Sequence, residues 1–207
     1  MNGRLGILIS GRGSNLQSII DAIGRGELSA EIAVVISNRP EAAGLLRARE
    51  AGLETVCLSQ KSFESRDAYD AAVARELQGR NVGLVCLAGF MRLVGRRLLD
   101  AFPERIVNIH PSLLPAFPGL EAQRQAFEYG VGVTGATVHL VTAELDGGPI
   151  VLQAAVPVLP DDTVESLSAR ILIEEHRLYP RAIGLVLDGQ WRIEGRRFRP
   201  TASAGTR

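Results

Sequence analysis

The chain predicts an α/β fold: an open, mostly parallel twisted sheet with flanking helices, turning antiparallel in its C-terminal half. Three observations carry this. Short apolar runs alternate with helix-spaced segments through roughly the first hundred residues, the pattern of parallel strands joined by right-handed crossovers. Those runs are nearly continuous in apolar residues, as strands covered on both faces are. Further on, two strand-like runs are joined by a short polar loop rich in glycine, the mark of an antiparallel ribbon.

In order, Leu5 to Ile9 reads as the first strand, and Ser10-Gly11-Arg12-Gly13-Ser14-Asn15 as a glycine turn. Leu16, Ile19, Ile20 and Ile23 recur at helical spacing, so an amphipathic helix begins near Ser14. A second unit comprises Ile32 to Ile36 and a helix over about 41–51, with Pro40 at its start. A third comprises Thr55 to Leu58 and a helix over 65–78 whose inward stripe is Tyr69, Ala72, Val73 and Leu77. Val82 to Ala88 is a fourth strand and runs into the apolar loop Gly89 to Val94. That loop either walls a flat ligand or is a buried connection to the next helix.

The fifth strand is Ile106 to His110, followed by a proline-heavy connector over 111–119, which restricts the backbone strongly. A helix over about 120–129 leads to the ribbon, strands at 133–142 and 149–156 joined through Thr142 to Gly148. The last large helix starts at Asp162 or Thr163, carries Val164, Leu167, Ile171 and Leu178 as its apolar stripe, and ends or kinks at Pro180. Residues 191–195 add an edge strand, and 201–207 read as disordered. The whole is Rossmann-like.

Composition narrows the function classes. At 207 residues with 46% hydrophobic and 22% charged residues, the chain suits a soluble globular protein of one domain or two fused halves. A net charge of +0 offers no case for nucleic-acid or membrane-surface binding. No apolar run approaches a membrane span or a signal-peptide core. Cys57 and Cys86 both lie in runs expected to be buried strands, so a reduced cytoplasm is expected rather than a disulfide framework.

The chemistry gathers at strand ends. Strand alternation puts Asn108 and His110 on one face, at the carboxyl end of the fifth strand, where open α/β sheets bind ligands. The glycine turn at a helix start is a natural anion site, with Gly13, Ser14 and Asn15 supplying donors and Arg12 a nearby charge; alternatively Ser14 only caps the helix. The turn lacks the third glycine of a dinucleotide fingerprint and the lysine of a P-loop. Metal spacing is absent, as is the G-x-S-x-G elbow of a serine hydrolase. His139 and His176 read as structural or surface residues. Asp146 sits on the glycine-flexible loop, and Asn108, His110 and Asp146 suit acyl transfer to an amine: oxyanion stabilisation by the amide and the protonated ring, with Asp146 raising an imidazole pKa that starts near ~6.5. Arg66 is most simply solvated, and helical angle does not choose between Glu174 and Glu175 as the carboxylate beside the last helix's covered face.

Four ordered segments resemble those of the glycinamide ribonucleotide formyltransferase family: Ile9 to Asn15, Leu87 to Arg92, Asn108 to Pro115 and Glu144 to Pro149. The N-I-H-P-S-L-L-P run is shared with methionyl-tRNA formyltransferases and with formyltetrahydrofolate hydrolases and dehydrogenases. The G-S-N turn together with L-L-P-A-F-P-G points to the glycinamide enzymes. The resemblance spans about residues 5–185 and implies the formyltransferase fold. It implies 10-formyltetrahydrofolate as cosubstrate, no metal, and 5-phosphoribosylglycinamide as acceptor in de novo purine biosynthesis. It further implies a phosphate at Gly13, Ser14 and Asn15, and the glycinamide or ribose portion near Glu175. A folate pocket would be built from Arg66, Met91, Arg92, Leu93, Val94, Asn108, Thr142, Ala143, Glu144, Leu145 and Asp146. Catalysis would fall to Asn108, His110 and Asp146. Family members often carry histidine where this chain has Glu121.

The expected organisation is a single domain over 1–199, with a phosphate-binding half at 1–104 and a catalytic and folate half at 105–199, then a flexible tail at 200–207. The expected state is a cytoplasmic monomer or homodimer acting on small molecules, with no nucleic-acid or membrane partner. A hydrolase would carry a regulatory domain before the first strand, and a tRNA formyltransferase a further C-terminal domain and a basic surface.

Overall fold

A computed structural model describes residues 2–201. The first half contains β1 (Arg4–Ile9), α1 (Ser14–Gly24), β2 (Glu31–Ser37), α2 (Ala43–Glu50), β3 (Thr55–Cys57), α3 (Arg66–Gln78), β4 (Leu84–Leu87) and α4 (Arg96–Ala101). The second half contains β5 (Ile106–His110), α5 (Ala122–Tyr129), β6 (Val133–Leu140), β7 (Ile150–Pro157), α6 (Val164–Asp188), β8 (Trp191–Glu194) and β9 (Arg197–Pro200). These strands form one sheet in the order β3-β2-β1-β4-β5-β6-β7-β9-β8. β1 to β5 pair in parallel, β6 runs antiparallel to β5, and β7 antiparallel to β6.

Alternation along the strands divides the core in two. Leu5, Ile7 and Ile9 of β1 join Val107 and Ile109 of β5 and the apolar stripes of α1, α2 and α6. Leu8, Val85, Leu87 and Ile106 point the other way, into a second core closed by α3 and α4. Gly6 lets α3 approach β1 closely, because a Cβ there would stand 3.1 Å from Val82 and overlap Leu77. Over β5 and β6 that second face carries polar side chains, Asn108, His110, Thr137 and His139. Loops reach over it: Phe117 and Gly119 of the proline connector and Asp146 of the 142–148 loop contact His110, His139 and one another. The candidate site lies there.

Several expectations need correcting. α2 starts at Ala43, so Pro40 sits in the preceding turn rather than at the helix start. Cys57 is exposed, because β3 is a three-residue edge strand, whereas Cys86 is buried. α6 does not stop at Pro180. Its apolar stripe continues through the buried Ala182, Ile183, Val186 and Leu187, and that packing outweighs the backbone bond lost at proline. Thr163 is its cap, in a reciprocal capping box with Ser166. β8 is the edge strand expected at 191–195, and it is joined to the sheet through a hairpin with β9. Pro200 therefore lies in a strand, and Thr201 N–H donates to the Gln190 carbonyl at 2.8 Å. The rest of the expected tail, residues 202–207, falls outside the described residues. No described helix is long and apolar enough to cross a membrane.

Candidate active site

Asn108 and His110 share a face of β5 as strand alternation requires, and β6 places His139 directly opposite Asn108 and Thr137 opposite His110. Thr137 is buried and ties down the proline connector. Its hydroxyl donates to the Ser112 carbonyl at 2.7 Å and accepts from Leu114 N–H at 3.1 Å. Gln153 of β7 adds bonds to Leu114 O and to the Thr137 hydroxyl, each at 2.9 Å. The connector is thereby held where its Phe117 carbonyl meets His110 Nε2 at 2.8 Å.

Asp146 lies between two imidazoles. Its Oδ2 is 3.5 Å from His110 Nδ1, and its Oδ1 is 3.6 Å from His139 Nε2. Gly119 N–H donates to Oδ2 at 2.8 Å, joining the connector to the 142–148 loop. Asn108 Nδ2 is 3.2 Å from His139 Nε2, and His139 Nδ1 is 3.0 Å from the Leu140 carbonyl. Carbonyls only accept, so His110 carries hydrogen on Nε2 and His139 on Nδ1. His139 Nε2 is then free to accept from the Asn108 amide. Phe117 and Asp146 both adopt left-handed backbone at φ 54° and 49°, a conformation uncommon for non-glycine residues.

Burial pushes the His110 pKa below its ordinary value, against the upward pull of the Phe117 carbonyl and of Asp146. Asp146 acts in the expected direction, but desolvation outweighs it, so the net rise expected from sequence is corrected to a fall. For Asp146 itself burial pushes upward. The His139 ring, Gly119 N–H and the His110 ring together overcome that and hold the carboxyl below the usual range. His139 was missed as a site residue. The available signal was its parity: it faces opposite to Ala136, Val138 and Leu140 along β6, but only antiparallel pairing with β5 brings it to Asn108.

The glycine turn lies across the same rim. Gly13, not Ser14, is the α1 cap, at φ 72° and with no side-chain bond to the first-turn N–H groups. A Cβ on Gly13 would also stand 2.6 Å from Gly44 Cα. Gly13, Ser14 and Asn15 line a cavity of about 670 Å³, together with Arg12, Arg39, Met91, Ile109, Pro111 and Glu175. Glu175 is buried at 6% exposure and accepts from Asn15 Nδ2 at 2.7 Å, whereas Glu174 pairs with Arg177 near the surface. Burial raises the Glu175 pKa against the Asn15 bond and the charge of Arg12. Asn15 Oδ1 is buried without a hydrogen-bond partner among the described residues. A carboxylate and an amide oxygen thus stand ready for hydroxyl or amine donors, beside uncapped helix N–H groups suited to an anion.

The loop Gly89 to Val94 is not a buried connection: Met91 and Leu93 are 59% and 54% exposed, while Phe90 and Val94 pack on the second core. At its end, Gly95 N–H donates to the buried carboxylate of Asp70 at 2.7 Å, and the charges of Arg66 and Arg92 act on the same carboxylate. Arg92 lies 4.3 Å over the Tyr69 ring. Thr142, Ala143, Glu144 and Leu145 are exposed and lead to Asp146. Of the loop residues, Met91 lines the cavity of the glycine turn, whereas Thr142 to Glu144 line a separate one of about 450 Å³ beside Leu99 and Phe102. Glu121 adopts left-handed backbone at the start of α5 and pairs with Arg124 at 3.0 Å.

Known proteins resemble this chain in sequence and fold. A family model described as formyl transferase matches residues 3–183. The phosphoribosylglycinamide formyltransferase of Escherichia coli (strain K12) is 43% identical over 205 residues, covering 96% of this chain and 97% of its own. The trifunctional purine biosynthetic protein adenosine-3 of Drosophila melanogaster is 47% identical over 188 residues, 90% of this chain; the match spans only 14% of that longer protein. The crystal structure of glycinamide ribonucleotide transformylase 1 from Symbiobacterium toebii superposes with a TM-score of 0.94 at 60% identity, covering 96% of this chain and 94% of that one. With residues 3–183 matched by the family model and close relatives covering nearly all of it, the chain belongs to the formyl transferase family.

Proposed function

We propose that the protein transfers the formyl group of 10-formyltetrahydrofolate to the amine of 5-phosphoribosylglycinamide, giving the formylglycinamide ribonucleotide and tetrahydrofolate in purine biosynthesis. The observation that carries this reading is the convergence of Asn108, His110 and Asp146 at the end of β5, where their chain neighbours Ile109 and Pro111 line the cavity of the Gly13–Asn15 turn. One substrate needs a phosphate site and a donor-seeking carboxylate. The other must bring a carbonyl to a polar strand end. Both needs are met on one rim.

In this reading the ribonucleotide phosphate binds the first-turn N–H groups at Gly13, Ser14 and Asn15, and Glu175 takes the glycinamide or ribose donors. The folate lies against Met91, Arg92, Leu93 and Val94, with Arg66 at its outer end, and reaches Thr142, Ala143, Glu144 and Leu145. The amine nitrogen attacks the formyl carbon, and charge develops on the formyl oxygen. Asn108 has a second amide hydrogen beyond the one directed at His139, and that hydrogen meets the oxyanion, with the positive charge that His110 gains on taking up a proton close by. Asp146 stabilises the imidazolium. The bond from carbon to folate N10 then breaks as the attacking nitrogen loses a proton and N10 gains one. Folate is a cosubstrate, and these steps call for no resident metal.

The test is an assay with 10-formyltetrahydrofolate, with and without phosphoribosylglycinamide. Tetrahydrofolate that appears only with the amine, with formylated product in equal amount, is the expected result. Release of tetrahydrofolate equally fast without the amine would overturn the transferase reading in favour of a hydrolase.

A further inference from the structure

Ser10 joins loops that the reaction scheme treats separately. It follows β1 as the first residue of the glycine turn, lines the ribonucleotide cavity, and is 3% exposed. Its N–H donates to the Gly89 carbonyl at 3.1 Å, and its hydroxyl accepts from Met91 N–H at 2.9 Å. The same hydroxyl donates to Asn38 Oδ1 at 2.7 Å, and Asn38 is buried at the carboxyl end of β2, beside Arg39 of the ribonucleotide cavity. One side chain therefore ties the phosphate turn, the β2 turn and the start of the 89–94 loop together.

We infer that Ser10 is a positioning residue that couples the two substrate pockets, so that filling the ribonucleotide site holds the 89–94 loop in the form that receives the folate. This rests on the function proposed above. The physical basis is the cost of a broken link. Without the hydroxyl, Met91 N–H and Asn38 Oδ1 both lose their partner in a mostly buried place, and such groups are expensive to leave unpaired. The loop then trades its tie to the phosphate turn for other arrangements, and the folate must order it alone. Coupling of this kind is reciprocal: whatever the ribonucleotide does for folate binding, folate must do for the ribonucleotide.

The experiment is a binding cycle on the full chain, with 5-formyltetrahydrofolate as a non-transferring folate probe and phosphoribosylglycinamide as the second ligand. In the wild type the ribonucleotide should tighten folate binding at least fivefold. In Ser10→Ala that factor should fall below twofold, while folate affinity measured without ribonucleotide changes less than the factor itself. Asn38→Ala, which keeps the bond from Met91 to Ser10 but removes the link to β2, should give an intermediate factor. Thermal melts show whether each variant is folded, and the ratio is a quantity that a merely structural role leaves unchanged. An absence of coupling in the wild type, or an undiminished factor in folded Ser10→Ala, would overturn the inference. Failure of the wild type to bind either ligand would instead sink the underlying functional reading.

Discussion

His110 Nδ1 stands 3.5 Å from Asp146 Oδ2 while its Nε2 is committed to the Phe117 carbonyl at 2.8 Å. The ring therefore has one fixed donor and one nitrogen turned toward a carboxylate, so a second proton would land on Nδ1. Burial opposes that proton and wins, which leaves the ring neutral at pH 7 and ready to take a proton as the reaction proceeds.

Replacing Asp146 by Asn removes a pull that raises the His110 pKa, so that pKa falls further below 6.5. The protonated fraction at any given pH drops with it. We expect kcat to fall by about 10²–10⁴ in Asp146→Asn and in His110→Ala, the usual worth of a placed acid–base group. NMR titration of the His110 ring carbons checks the sign. A pKa that rises in Asp146→Asn would refute the electrostatic role, and full activity in either variant would refute the catalytic one.

His139 gives a separate prediction, because it accepts from Asn108 and flanks Asp146 at once. In His139→Leu the Asn108 amide loses the partner that orients it. A misdirected hydrogen bond to a charged transition state is worth roughly 1.5–3 kcal/mol, or about 10–100-fold in kcat. His139→Gln retains an acceptor and should keep more activity than His139→Leu. Equal activity in both variants would show that the acceptor is irrelevant.

What the sequence made legible follows from period and range. Asn108 and His110 could be placed on one face because a two-residue alternation needs nothing beyond five residues of β5. The glycine turn was legible for the same reason: strand, turn and helix are adjacent in the chain. His139, Thr137 and Gln153 were not, since their roles depend on β5–β6–β7 register, which no local pattern specifies. Glu175 was ambiguous by helical angle and was favoured over Glu174 by the family resemblance. In the fold the distinction is one of contact, because α6 crosses α1 and sets Glu175 on Asn15, 160 residues away. Pro180 misled because helix-breaking is a local rule, and the stripe beyond it buries enough to override it.

Gly13 meets two demands at once, a left-handed backbone at φ 72° and contact with Gly44. Gly26 has the same φ of 72° but open space around its Cβ position. Gly26→Ala should therefore cost only the conformational term, about 1–2 kcal/mol. Gly13→Ala must also move backbone against backbone, so it should cost more and raise the KM for the ribonucleotide. Urea unfolding of the two variants measures the difference. Equal losses of stability would show that the α2 turn yields freely and that the close approach is unimportant.

Glu175 should cost stability in order to serve the site. Its folded pKa is raised above the unfolded value of 4.5 by burial. The folded state thus holds the proton more tightly, and stability is greatest below 4.5 and lost as pH rises through the folded pKa, where the buried carboxylate becomes charged. Glu175→Gln resembles the protonated form, keeps an oxygen to accept from Asn15, and never charges. It should match the wild type near pH 4.5 and exceed it at pH 7.5 by roughly 1–3 kcal/mol, at about 2–4 °C in Tm per kcal/mol. Activity should move the other way: without the charge, donors on the ribonucleotide lose a charged acceptor, and KM should rise about 10–100-fold. Melting curves at the two pH values, set beside KM for phosphoribosylglycinamide, decide it. A variant less stable than the wild type at pH 7.5 would mean that the carboxylate is compensated by partners other than Asn15 and Arg12.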